Sequence, residues 1–249
     1  MEVVKEMKRK SVSVAMAAYN GQQYIQQQME SILKQLHMDD ELLVSLDFST
    51  DNTEYIVQKM AKKDDRIQIV HGPSLGVLKN FENAINLAKN EILFLSDQDD
   101  VWLDGKVERI LKEFEDEQVQ VVMHDAAVTD ENLHIQIPSI FKERNVKLGV
   151  KENILKNGYR GCCMAFRQSL KDDILPFPKA IPMHDQWIGL VGELTGKNVL
   201  VPDVYLLYRR HSKNETDLKH AGILQMLRWR KDIYTEIEKF KKKKGLKSS

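Results

Sequence analysis

The stretch EILFLSDQDDVWLDGK, Glu91 to Lys106, decides how this chain is read. Its apolar run, Ile92 to Leu95, has the character of a buried strand, and it runs straight into Ser96-Asp97-Gln98-Asp99-Asp100. Carboxylates that close repel one another, and desolvating them is costly unless positive charge arrives. Clustered carboxylate oxygens suit a hard divalent cation, Mg2+ or Mn2+, which keeps waters and shares its ligands with a substrate phosphate. Asp97 and Asp99 are the leading metal candidates and Asp100 a weaker one. The ordinary alternative is an acidic turn in which Asp100 or Asp104 caps the helix that follows.

Outward from this stretch the pattern alternates. SVSVAMAAYN (Ser11 to Asn20) reads as a strand ending in an Asn20-Gly21 turn. Ile25, Met29, Ile32 and Leu36 predict a helix over 22–36. ELLVSLDFS is a second strand, followed by capping residues Ser49 to Thr53 and a helix through Ile56 and Met60. RIQIV is a third strand, and Gly76 precedes a helix with Val77, Phe81, Ala84, Ile85 and Ala88 on one face. After the acidic turn, Leu103, Val107, Ile110, Leu111 and Phe114 predict a helix over 103–117, and VQVVM a fifth strand. Such alternation argues for an α/β domain with a mostly parallel central sheet flanked by helices. In such sheets ligands sit outside the carboxyl ends of the strands, where Asp97, Asp99 and Asp100 lie. Beyond Met123 loops and prolines dominate, with shorter elements in GCCMAFRQSL, HDQWIGLVGEL, NVLVPD and VYLLYRRH.

Lys+Arg and Asp+Glu each number 37 in the 249 residues, so the whole molecule carries no footprint for nucleic acid. The ends are not neutral: from Arg209 onward there are 13 basic against 5 acidic residues. No apolar run is long enough to span a membrane, and residues 1–10 are charged without a following apolar core, so no signal peptide is expected. The two cysteines, Cys162 and Cys163, are adjacent and lack ligand spacing, which suits a reducing cytoplasm and a bland role as small packing residues.

The stretches VSVAMAAYNGQQYIQQQMESIL, VSLDFSTDNT, FLSDQDDVWL, HDQWIGL and YRRHSKN, in that order, resemble bacterial family 2 glycosyltransferases, nearest the rhamnosyltransferase-like branch. The resemblance covers about residues 11–214. It implies a GT-A (nucleotide-diphospho-sugar transferase) Rossmann-like fold, inversion at the anomeric centre, a UDP- or dTDP-sugar donor and Mn2+ or Mg2+. By position it implies a donor site of Ala17, Tyr19, Asn20, Asp47, Lys79, Asp97, Gln98, Asp99, Arg209 and Arg210. Asp97, Asp99 and His211 would hold the metal. Asp185 would be the catalytic base, with Gly161, Cys162, His184 and Trp187 on the acceptor side. Each has an ordinary alternative: a half-buried aromatic for Tyr19, a helix cap for Asp47 or Asp185, a solvated lysine for Lys79, a basic loop for Arg209 and Arg210. The loop around His211 is expected to close over the donor as a lid.

The chain departs from the family in two places. The family has two acids and a glycine where Leu46-Asp47-Phe48 stand, so the base pocket is expected to be reshaped. A proline that usually follows VWL is replaced by Asp104-Gly105.

The expected organisation is a GT-A domain over 1–215, with a nucleotide-binding half at about 11–123 and an acceptor half at about 124–215, then a basic amphipathic helical segment over 216–249. Three readings of that segment stay open: packing on the core, homo-oligomer contact, or contact with an anionic membrane surface at the cytoplasmic face. The expected activity is transfer of a hexose or deoxyhexose to a saccharide, glycoprotein or lipid-linked acceptor. Two other readings compete: a nucleotidyltransferase, for which AAYNGQQY lacks the basic phosphate loop, and a non-catalytic sugar-nucleotide-binding module, motivated by Leu46 and Phe48.

Overall fold

A computed structural model describes residues 9–211 and 222–246. The first half alternates as expected: β1 (Val12–Ala18), α1 (Ile25–Leu33), β2 (Glu41–Leu46), α2 (Thr53–Ala61), β3 (Ile67–His71), α3 (Val77–Leu87) and β4 (Ile92–Ser96). The acidic turn leads to β5 (Val101–Trp102), α4 (Lys106–Glu113) and β6 (Val119–Thr129). Then come β7 (Ile135–Ile137), α5 (Ile140–Arg144), α6 (Val150–Leu155), a 3-10 turn at Gly161–Cys163, β8 (Met164–Arg167), α7 (Lys171–Ile174), α8 (His184–Thr195), β9 (Lys197–Arg209) and α9 (Ile223–Lys244).

All nine strands share one sheet, in the order β3-β2-β1-β4-β8-β6-β9-β5, with β7 added beside β6. β3, β2, β1 and β4 are parallel neighbours, as the alternation implies. β1, β2 and β4 are covered on both faces, which is why they read as near-continuous apolar runs. The second half is mixed. β8 inserts antiparallel between β4 and β6, so VQVVM is the start of an eleven-residue strand that does not touch β4.

NVLVPD and VYLLYRRH are one strand, β9, parallel to β6. The break that Pro202 suggests is a bulge: His124 pairs Val201 while the next residue, Asp125, pairs Val204. A proline lacks the ladder N–H, so it sits where pairing is interrupted.

β5 pairs antiparallel with β9, Val101 with Leu207 and Trp102 with Leu206. This two-residue strand folds the end of β9 back over the acidic turn. α4 is shorter than its apolar face suggests and starts from Gly105, whose φ of 80° is left-handed. Neither Asp100 nor Asp104 caps α4.

The C-terminal helix packs on the core through part of its length. Ile233, Ile237 and Phe240 are buried, Phe240 meets the Trp187 ring edge-on at 6.0 Å, and Arg230 Nε donates to the Leu155 carbonyl at 2.8 Å. Lys244 pairs with Asp173. Ile223, Leu224, Leu227 and Trp229 stay exposed. Truncating the buried anchor, Phe240→Ala, is expected to cost about 3 kcal/mol in chemical denaturation. An unchanged midpoint would mean that α9 is not docked in solution. Among the described residues no helix is long and apolar enough to cross a membrane.

Candidate functional site

The site is built at the carboxyl ends of β1, β2 and β4, roofed by the end of β9. Asp99 lies in the turn after β4. Its Oδ2 meets His211 Nε2 at 2.9 Å, across 112 residues of sequence. The imidazole stacks on Tyr24, ring centroids 4.6 Å apart. The rest of YRRHSKN, after His211, lies outside the described residues, and so does most of the expected lid.

Asp97 and Asp100 sit deeper. Desolvation, then the charges of Asp99 and Asp185, push the Asp97 carboxyl up to about 7, while Arg160 and a hydrogen bond with Cys162 oppose the rise. Asp100 is 0% exposed, and burial followed by the charges of Asp99 and Asp97 holds its carboxyl well above the usual range. The Arg209 backbone N–H donates to Asp100 Oδ1 at 3.0 Å, whereas Asp100 Oδ2 is buried without a partner. The Asp99 carboxylate with the His211 imidazole, and the neighbouring Asp97 and Asp100 carboxylates, are donors of the kind a divalent cation takes.

Part of the positive charge this cluster demands comes from the protein. Lys106, the first residue of α4, is fully buried. Its Nζ donates to the Cys162 carbonyl at 3.1 Å and lies 3.7 Å from the centre of the Trp102 ring. Burial lowers the Lys106 ammonium to about 8, against the pull of Cys163, Cys162, Asp100 and Asp97. Half-buried Arg160 lies over Tyr208, 4.8 Å from guanidinium carbon to ring centroid, and its charge acts on both Asp97 and Asp185. Sequence reasoning missed both. Lys106 reads as a helix-start lysine, and Arg160 stands alone in NGYRGCCMAF with no spacing to mark it.

Asp185 faces the same space from the first turn of α8. The N-cap there is Met183, so Asp185 does not cap the helix. Its Oδ1 accepts from the Gln186 N–H at 2.6 Å and from Asn157 Nδ2 at 3.3 Å.

The nucleotide end is tied together by backbone bonds. Gln98 is a strut: its Oε1 accepts from the Tyr19 N–H at 2.9 Å and its Nε2 donates to the Tyr19 carbonyl at 2.7 Å. A side chain at Gly21 would collide with it, a Cβ there falling 2.2 Å from Gln98 Oε1. Asn20, with φ 46°, accepts from the Thr50 N–H at 2.8 Å. Asp47 Oδ1 accepts from the Ser74 N–H at 2.8 Å, and its other oxygen makes no hydrogen bond among the described residues. Ala17, the penultimate residue of β1, is half-buried, and Tyr19 is 50% exposed. Phe48 is 78% exposed and its φ is not positive, so the chain accommodates it without a left-handed backbone.

Several expected site residues point elsewhere in this structure. The Arg209 guanidinium is buried and donates to the Asp99 carbonyl, the Glu131 carbonyl and Gln27 Oε1 at 2.8, 2.6 and 2.6 Å. It ties the acidic turn to α1 and to the loop after β6. Lys79 Nζ is held by both oxygens of Glu82, at 2.7 and 2.9 Å. Trp187 is buried, with Nε1 donating to the Ile174 carbonyl at 3.0 Å and its ring against Phe240 of α9. His184 is packed between Phe81 and Phe177 and neither ring nitrogen has a partner among the described residues. Burial lowers its pKa. Gly161 gives it room, since a Cβ there would lie 2.9 Å from His184 Nε2. Arg210 is exposed beside the site. Cys162 and Cys163 are buried free thiols.

Residues 13–175 match the family model for glycosyl transferase family 2. The chain is 27% identical over 171 residues to an uncharacterised glycosyltransferase of Nostoc sp., covering 66% of this chain and 53% of that one. It is 34% identical over 104 residues to the putative teichuronic acid biosynthesis glycosyltransferase TuaG of Bacillus subtilis, covering 41% and 40%. The chain thus spans about half or less of these relatives. Among solved structures it is similar to S. aureus TarS in complex with UDP-GlcNAc, with TM-score 0.71, 18% identity, and coverage of 93% of this chain and 66% of that one. It also resembles the mannosyltransferase PcManGT from Pyrobaculum calidifontis in complex with GDP-Man and Mn2+, with TM-score 0.63, 17% identity, and coverage of 93% and 70%. These structures share the GT-A fold.

Proposed function

This chain belongs to glycosyl transferase family 2, and we propose that it is an inverting, metal-dependent hexosyltransferase. It would move a hexose or deoxyhexose, of the rhamnose or glucose/galactose type, from a UDP- or dTDP-sugar to a saccharide acceptor of a cell-surface polysaccharide or a glycoprotein glycan. The observation that carries the reading is the pairing of Asp99 with His211 at 2.9 Å, beside Asp97.

In this reading Tyr19 and Phe48 present exposed rings to the base, and Asp47 offers its second oxygen to the base imide. Asp99 and His211 would hold Mn2+ or Mg2+, with Asp97 beside them toward the ribose. When bound, the cation supplies charge compensation for the departing diphosphate. Asp185 takes the proton of the attacking acceptor hydroxyl. The Arg160 charge opposes the rise in the Asp97 pKa, and buried Lys106 places a second positive group beside the acidic turn. Residues 11–123 would hold the donor and 124–215 the acceptor, on one continuous sheet.

Screening UDP-, dTDP- and GDP-sugars for Mn2+-stimulated hydrolysis tests the proposal. GDP-sugars belong in the panel because PcManGT was solved with GDP-Man. Hydrolysis of none, with no binding of millimolar nucleotide by calorimetry, would leave a non-catalytic module.

Two further results are expected. Asp97 holds its proton up to about pH 7, well above the 3.8 of a free aspartate, so its ionisation destabilises the metal-free fold as pH rises through 7. A cation must displace that proton. Affinity for Mn2+ with UDP is therefore expected to fall as pH drops below about 7, approaching tenfold per pH unit, with proton release on binding. Affinity equal at pH 6 and pH 8 would remove Asp97 from the site. Phe48→Gly is expected to change nucleotide affinity with little change in stability, because the ring is exposed. Unaltered affinity for both UDP and dTDP would take that ring out of the base pocket.

A further inference from the structure

We propose that Asp97, Asp100 and Cys162 form a second cation site, selective for thiophilic divalent ions such as Zn2+, Co2+ or Cd2+, beneath the Asp99–His211 pair. One ligand atom from each of the three residues lies within 4.8 Å of the others. The independent sign of a missing ligand is Asp100. It is fully buried, Oδ1 takes the Arg209 N–H, and Oδ2 has no partner. Ionised or protonated, that oxygen lacks the bond a buried polar atom requires.

Strand pairing builds this site. β8 runs antiparallel to β4, with Phe94 beside Ala165, so the 3-10 turn preceding β8 falls under the turn that follows β4. Lys106 anchors that turn by its bond to the Cys162 carbonyl. Cys162 and Asp100 are buried and Asp97 is half-buried, so Asp97 is the one member of the trio in contact with solvent. A zinc-sulfur distance of about 2.3 Å and zinc-oxygen distances of about 2.0–2.2 Å are within reach of ligand atoms that lie no more than 4.8 Å apart.

Sulfur sets the selectivity. Asp99 and His211 offer oxygen and nitrogen, which suit Mn2+, whereas a thiolate favours softer ions. Binding would release the Cys162 proton to solvent. Lys106 and Arg160 oppose a cation here, and the carboxylates of Asp99 and Asp185 offset them. The site needs no nucleotide, so it stands apart from the transferase reading. Because Asp97 belongs to both sites, a thiophilic ion bound here competes with the sugar donor.

The test is Co2+ titration of the full chain without donor, in a thiol-free reductant, reading the near-ultraviolet sulfur-to-cobalt charge-transfer band. The expected result is a band that saturates at one Co2+ per chain, disappears in Cys162→Ser and persists in both Cys163→Ser and Asp99→Ala. No band in the native chain, a band surviving in Cys162→Ser, or a band lost in Asp99→Ala would each overturn the proposal. If Cys162→Ser does not fold, cadmium NMR of the native chain decides. A shift typical of mixed sulfur-oxygen coordination supports the site, and an all-oxygen shift overturns it. Mn2+-dependent UDP binding, measured separately, reports on the transferase reading alone.

Discussion

Asp185→Asn is expected to lower turnover by about 10² or more while leaving donor affinity near the native value. The substitution keeps the side chain's shape. It also keeps an oxygen to accept from the Gln186 N–H and from Asn157 Nδ2. What it removes is the charge that would take a proton from an acceptor hydroxyl. Asp185 is buried, and its charge contributes to the raised pKa of Asp97. Arg160 is the positive group placed between them. Removing one of the mutually repelling carboxylates is therefore expected to stabilise the fold slightly as turnover collapses. Steady-state kinetics and thermal denaturation on the same protein separate the two effects. Native turnover in Asp185→Asn would assign the base elsewhere. A parallel loss of activity and stability would make Asp185 a structural residue.

Asp99→Ala is expected to abolish Mn2+-dependent nucleotide binding in calorimetry. Asp99 and His211 are 112 residues apart in sequence, and their 2.9 Å contact joins the acidic turn to the imidazole that follows β9. The alanine leaves the Tyr24–His211 stack and the Arg209 bond to the Asp99 backbone carbonyl in place, since neither uses the lost carboxylate. The fold is thus expected to survive, so a loss of binding would report on the carboxylate itself. Full metal-dependent binding in Asp99→Ala would move the cation to other ligands and undo the proposed mechanism.

The acidic turn shows how far a sequence reading reaches. Clustered aspartates after a buried strand imply a source of positive charge, and a dication alone appears sufficient while only neighbours in sequence are in view. In the folded chain Lys106 and Arg160 already supply part of that charge. Arg209 shows the reverse. A basic residue near a presumed diphosphate invites a binding role, and the fold adds a second one: its guanidinium also donates to two carbonyls and Gln27. Trp187 and Gln98 likewise belong to the scaffold around the site, one packed on Phe240 and the other bridging Tyr19.

From the sequence alone come the α/β alternation, the parallel first half of the sheet, the acidic turn at its carboxyl edge and the family to which the chain belongs. These are legible because periodic burial and turn chemistry are local, each set by residues a few positions apart. Only the tertiary structure decided that β8 runs antiparallel against β4 and that β5 draws the end of β9 over the turn. Those pairings put Cys162, Lys106, Arg160 and His211 around Asp97, Asp99 and Asp100. Strand order is chosen by packing the whole sheet, so contacts spanning about a hundred residues leave no mark on the local pattern.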